Sequence, residues 1–416
     1  MLTSATRRAG SQTWNAPEVL RCSRATARPK RALRYAAIGA TTALTVLLAA
    51  CGSGGDSAGG SDRAPTSTDP QVATSKDAVE RYLAGSSVEP DGQVVAPRPG
   101  TKAVILSCGQ SIPVCAAPAN AALQASRAMG WSAQIYDGKA SISTFGPLID
   151  QAVASGADGL MITGIDCALV QASLARAKAA GVKAANVLGA DCNDAYPGQK
   201  PVSDESLYSV VRFAEFPSSR TFNEGWARAT ADYLIATENG RAKALVFDMT
   251  SVPSGHAIAL AQIDQLSKCK ECESYRVPYS PFDFGQKLQG IAQQAAIKYP
   301  EANAALGESD APILGGVQAG LATAGRPISI VADEGSPAAL KLLKANQIAA
   351  AMAYSSQWLG WALADTLNSA LAGKPVRNSG IGWQLVTAEN DPSDADGNYR
   401  PTVDYQSAYR KLWGLP

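Results

Sequence analysis

The sequence predicts an α/β protein of two doubly wound lobes, each a parallel sheet flanked by helices. Three observations predict it. From Thr101 onward, short apolar runs alternate with alanine-rich amphipathic stretches in units of about 25 residues, the alternation expected of parallel strands joined by helical crossovers. The stretches close on Gly130, Gly156 and Gly181, where a helix end favours a residue without a Cβ. The pattern then restarts in the second half, and roughly 340 ordered residues exceed what one core usually holds.

In chain order, the first half carries apolar runs at residues 103–106, 132–136, 159–163 and 184–188. The second half carries them at 244–247, 275–279, 304–306 and 328–332. Ligands of open α/β sheets sit beyond the carboxyl ends of the strands, where loops converge and helix amino termini offer N–H donors. That rule selects the loops at 108–114, 137–141, 164–167 and 189–192, and then those at 250–256, 280–284, 308–311 and 332–336. Residues 354–358 join them at the return between lobes.

Ahead of this body, basic residues between Arg7 and Arg34 precede an uncharged stretch, residues 35–50, that runs into Cys51. This is the shape of a signal peptide, residues 1–50, and its apolar part is shorter than the roughly 20 residues a membrane-spanning helix needs. The text Leu48-Ala49-Ala50-Cys51-Gly52 resembles the bacterial lipobox. The resemblance implies an extracytoplasmic protein anchored to the cell membrane by a lipid on Cys51. The long basic region leaves the translation start open, with Val19 as an alternative. Residues 51–75, rich in Gly, Ser, Asp, Pro and Thr, are expected to form a disordered tether.

Removing residues 1–50 takes away eight Lys or Arg and one Glu, so the formal charge moves from +1 to −6, and nothing in that balance points to nucleic acid. Of eight cysteines, six lie in the exported body, an even number that reads as disulfides. Proximity in sequence favours Cys108 with Cys115, Cys167 with Cys192, and Cys269 with Cys272. Closing the first loop contributes about 2.5 kcal/mol by the chain-entropy relation. The Cys269-x-x-Cys272 spacing also occurs in redox and zinc motifs, but the chain has one histidine and no second CxxC. No apolar run is followed by a G-x-G-x-x-G or G-x-x-x-x-G-K-[ST] loop. No G-x-S-x-G motif accompanies His256 and no metal-ligand spacing is present, so no enzyme activity, metal or cofactor is expected.

From about Lys102 to Val386 the chain resembles the ribose-binding-type periplasmic binding proteins. The resemblance rests on KYPEANAALGESDAPILGGVQAGLATAG from Lys298, ISIVADEGSPAALKLL from Ile328 and IAAAMAYSSQWLGWALADTL from Ile348. The repressors that share this core begin with a helix-turn-helix, and none precedes it here. The resemblance implies a type I binding protein, with two lobes joined by three hinge strands and the ligand enclosed between them. Residues 76–214 with 355–386 would form the first lobe, and 215–354 with 387–416 the second lobe and a C-terminal extension. It further implies a monomeric substrate-binding lipoprotein that captures a sugar or sugar-like molecule for an ABC transporter permease. A lipoprotein of the same fold that reports its ligand to a membrane sensor is the alternative.

Carried over by position, the family's contacts fall on Gln110, Ser111 and Val114 in the first lobe. In the second they fall on His256, on Phe282, Asp283 and Phe284, on Ser309 and Asp310, on Asp333 and Glu334, and on Tyr354. The family's aromatic pair after the first strand is replaced by Pro113-Val114-Cys115, and its Asp-Arg pair by Leu188-Gly189 with Asp191 nearby. Planar polar groups bond hydroxyl pairs and aromatic faces cover C–H surfaces, which suits a sugar. Other roles are open for the same residues. Asp310 and Glu334 also fit as helix caps, Asp191 as support for the disulfide loop, a lone His256 as a structural residue, and Tyr354 and Trp358 as hinge packing.

Overall fold

The computed structural model describes residues 68–196 and 200–416. The expected signal peptide, Cys22, Cys51 and the tether up to residue 67 lie outside the described residues. The first sheet is parallel throughout, in the order β2-β1-β3-β4-β5, with β1 at Lys102–Ser107, β2 at Ser132–Asp137, β3 at Gly159–Thr163, β4 at Lys183–Val187 and β5 at Ser209–Val210. The second sheet comprises β6 at Lys243–Met249, β7 at Glu273–Tyr279, β8 at Ala304–Leu306, β9 at Ser329–Glu334, β10 at Ala350–Ala353 and β11 at Gln384–Val386. Its order is β11-β10-β9-β8-β6-β7, and only β11 runs antiparallel, against β10.

The strand sequences follow from burial. Central β3, GLMIT, is buried at all five positions because helices cover both faces of a parallel sheet. Edge strand β2, SAQIYD, has only exposed and half-buried positions. Gly130, Gly156 and Gly181 end their helices with φ of 72°, 73° and 81°. The chain crosses between the sheets three times, after β5, after β10 and before β11. Two of these passages lie side by side, where Arg212 bridges Asn378. Parallel strands put their carboxyl-end loops along one edge of each sheet, and those two edges face the cleft.

Helix Ser356–Leu371 is buried along most of its length and lies against helix Pro113–Ala128 so closely that a Cβ on Gly360 would come within 2.3 Å of the Pro118 carbonyl oxygen. The C-terminal residues pack on the same helix. Tyr405 stacks on Trp358 at 5.0 Å, Trp413 stacks on Trp361 at 5.3 Å, and Trp413 Nε1 donates to Asp365 at 2.8 Å. Residues 387–416 were expected with the second lobe; this aromatic stack ties their last helix, Tyr405–Leu412, to the helix that covers the first sheet.

The expected tether ends earlier than residue 75. Helix Pro70–Ala84 starts within it, because the Asp69 side chain accepts from Gln71 N, proline fits the first turn, and Val72, Ser75 and Ala78 are buried. Ser75 Oγ donates to Asp232 at 2.7 Å, on helix Ser219–Thr237. All three local cysteine pairs are joined, with Cα–Cα separations of 5.4, 5.0 and 5.3 Å, within the normal range. Among the described residues no helix is long and apolar enough to cross a membrane.

Candidate functional site

The carboxyl ends of β8 and β9, with the turn after β8, carry Glu308, Asp310, Asp333 and Glu334, all buried. Tyr279, the last residue of β7, donates to Glu308 Oε1 at 2.5 Å. Asp310 Oδ2 accepts the Ser336 N–H at 2.7 Å, and Asp310 N donates to Glu334 Oε2 at 3.4 Å. The Tyr354 side chain, just past β10, bonds Glu334. Glu334 has φ of 82°, a left-handed conformation that costs a residue with a side chain on the order of 1–3 kcal/mol and often marks a functional turn.

Asp310 is therefore not a cap of its own short helix. Ser309 fills that position, accepting from Ala311 N, while Asp310 holds the first residues of helix Pro337–Lys344 in place through Ser336. Burial pushes both Glu308 and Asp310 up to about 7. Asp333 and Glu334 are also raised, first by burial and then by the negative charges around them. Four acids sharing one dry volume disfavour each other's ionisation.

Glu334 and Tyr354 open onto a crevice that spans the lobes. Its first-lobe wall is Pro113, Val114 and Ala117, at the start of helix Pro113–Ala128; Gly335, Ser336, Pro337, Ser356, Gln357, Asn398 and Tyr399 complete it. Gln110 and Ser111 lie on the loop just before this wall, where Gln110 N donates to Asp137 at 2.9 Å.

His256 sits beside this group without entering it. Its Nδ1 lies 2.9 Å from Asp248, at the end of β6, and Arg276 bonds the other oxygen of the same carboxylate, which orients the ring. The aromatic loop divides. Phe282 is 93% exposed and outside this group, Asp283 bonds Ser280 N and pairs with Lys287, and Phe284 packs edge-on against Tyr279 at 6.0 Å. Asp191 is taken up by its own loop, accepting from the N–H groups of Cys192, Leu207 and Tyr208 and from Ser206 Oγ. Trp358 is hinge packing, stacked on Tyr405.

A second contact between the lobes went unread in the sequence. Asp166, in the loop after β3, accepts from Ala190 N and Tyr196 OH at 2.9 Å, and its other oxygen accepts the Ser254 N–H at 3.3 Å. Ser254 lies in the first turn of helix Pro253–Leu266 in the second lobe, so the bond crosses the cleft and uses the favourable end of a helix dipole. Beside it lies a second crevice that includes Asp191, Lys200 and Pro253. The available signal for Asp166 was its place in a strand-end loop, and for Glu308 its place next to Ser309.

Residues 103–375 match the family described as the periplasmic binding protein domain, about two-thirds of the chain. The chain belongs to this family. Solved structures agree on the fold. A solute-binding protein of an ABC transporter from Agrobacterium vitis with bound allitol is 20% identical, with a TM-score of 0.57 over 70% of this chain and 96% of its own. Another from Agrobacterium vitis, bound with α-D-tagatopyranose, is 17% identical, with a TM-score of 0.61 over 72% of this chain and 100% of its own. A glucose-galactose binding protein from Geobacillus stearothermophilus is 15% identical, with a TM-score of 0.59 over 71% and 100%. No curated protein matches the sequence. The two lobes of this periplasmic binding protein are thus those of the type I fold.

The raised carboxyls make stability depend on pH. Glu308 and Asp310 bind a proton more tightly folded than unfolded, so the folded state holds extra protons between about 4 and about 7. Their contribution is full below their unfolded values near 4 and is lost as pH rises through 7. One unit is about 1.4 kcal/mol, so Glu308 alone contributes about 3 kcal/mol. Thermal denaturation of ligand-free protein should show the melting temperature falling from pH 5 to pH 8, with a shallower fall in Glu308→Gln and Asp310→Asn. A flat or rising profile in the parent would contradict this.

Proposed function

We propose that this protein is the extracytoplasmic capture subunit of an ABC importer, enclosing a small polar ligand, a sugar or sugar-like molecule, between its lobes. The observation that carries the reading is the crevice where Pro113 and Val114 of one lobe face Glu334 and Tyr354 of the other. A ligand there touches both lobes, so binding favours the closed arrangement by the difference in its affinity for the open and closed states. Closure alters the surface offered to the permease. No bond is made or broken. The polyols and sugars held by the structural relatives support a polyhydroxylated ligand, as do carboxylates and a phenol placed to bond hydroxyl groups.

In the same proposal the chain is exported and held at the membrane by a lipid on Cys51, with the protein otherwise monomeric. Metabolic labelling with a palmitate analogue should mark the parent and leave Cys51→Ala unmarked; equal labelling of both would remove the anchor from this account.

The ligand prediction is tested by identifying small molecules released on denaturation, then measuring their affinity by calorimetry. Glu334→Gln and Tyr354→Phe each leave a ligand group without its partner, an expected cost of about 1–3 kcal/mol, or about 5- to 150-fold in affinity. Folded variants that bind as tightly as the parent would move the site elsewhere.

A further inference from the structure

Behind the interlobe crevice just described, which Glu334 alone of the four acids lines, the acids differ from other buried acids of the molecule. Asp166 has its oxygens taken by Ala190, Tyr196 and Ser254. Asp232 is bonded by Ser75, Tyr82 and Gln265. Asp248 has His256 and Arg276, and Asp365 has Trp413 and Arg377. Every oxygen of those four carboxylates meets a protein donor.

At the ends of β8 and β9 the pattern breaks. Asp333 is 0% exposed and neither of its oxygens has a partner among the described residues. Glu308 Oε2 and Asp310 Oδ1 are buried and unbonded as well. The charges acting on Asp333 are those of Asp310, Glu334 and Glu308. No Lys, Arg or His bonds any of the four acids among the described residues. Four unbonded oxygens on three neighbouring acids are more than a stable interior leaves without a partner, and their common sign selects a positive one.

We infer that the ligand is a polyhydroxylated molecule bearing an ammonium group, with Asp333, Glu308 and Asp310 receiving the ammonium and Glu334 and Tyr354 the adjoining hydroxyls. The inference rests on the ligand-capture reading above and names its substrate class. An ammonium has three donors to distribute among these oxygens. A neutral sugar offers each acid a hydroxyl but no positive charge, and so leaves the acids to be neutralised by protons alone.

The test uses pairs that differ only by an amine in place of a hydroxyl: D-glucosamine with D-glucose, D-galactosamine with D-galactose, D-mannosamine with D-mannose, and 1-amino-1-deoxy-D-glucitol with D-glucitol. Thermal shift followed by calorimetry on the full chain, first freed of bound ligand, should show at least one amine binding tenfold or more tighter than its hydroxyl partner. That amine should lose about 10- to 100-fold in Asp333→Asn, with Glu308→Gln as the second variant should the first not fold. Hydroxyl partners binding as well as or better than every amine would overturn the cationic assignment and leave the capture reading standing. If no member of any pair binds, the cationic assignment falls, and identification of the molecules released from the native protein decides the capture reading separately.

Discussion

Taking a carboxyl group out of water costs several kcal/mol unless the protein returns hydrogen bonds or opposite charge, and that constraint organises the cleft edge of the second lobe. Tyr279, Ser336 and Tyr354 each satisfy part of the demand. The remainder is unmet, and burial raises the carboxyls until protons supply part of the balance. The left-handed turn at Glu334 belongs to the same arrangement. It swings the Glu334 side chain into the crevice wall while the next residues begin a helix. A site whose acids are held ready in this way needs little rearrangement when a partner arrives.

The scaffold explains why these groups meet. Parallel strands deliver Asp248, Glu308 and Glu334 to the same edge from positions far apart in sequence, and helix Ser356–Leu371 fixes the hinge return that presents Tyr354. The aromatic stack of Trp358, Trp361, Tyr405 and Trp413 anchors that helix from its outer side. Across the cleft, Asp166 accepts the Ser254 N–H, a protein contact that itself joins the two lobes.

The eight strand runs and the glycine helix ends were legible because burial on both faces writes continuous apolar runs, and left-handed caps write glycine. Strands β5, β10 and β11 were not, because they adjoin the passages between the sheets, where the regular unit of about 25 residues is interrupted. Asp310, Glu334 and Tyr354 were readable as a group from the family resemblance, and the structure brings them together. Asp191 and Phe282 stand apart from them for reasons no pattern shows: Asp191 is consumed by four donors in its disulfide loop, and Phe282 points to solvent. Asp166 was overlooked because pairing across the cleft depends on which loops face each other, and Asp333, read as part of an acidic tip, gave no sign that its carboxylate would be left unbonded. Helix Pro70–Ala84 hid in a polar composition because its few buried residues gain their contacts from another helix.

The account turns on a ligand lying between the lobes against the acid group. Its most direct measurement is a crystal structure of the protein purified from native membranes with its bound molecule retained. The account predicts density in the crevice between Val114 and Glu334, with polar atoms within about 3.2 Å of Glu334 and Tyr354 and of at least one oxygen of Asp333, Glu308 or Asp310. Density confined to another surface, with those oxygens bonded only to protein groups, would contradict it.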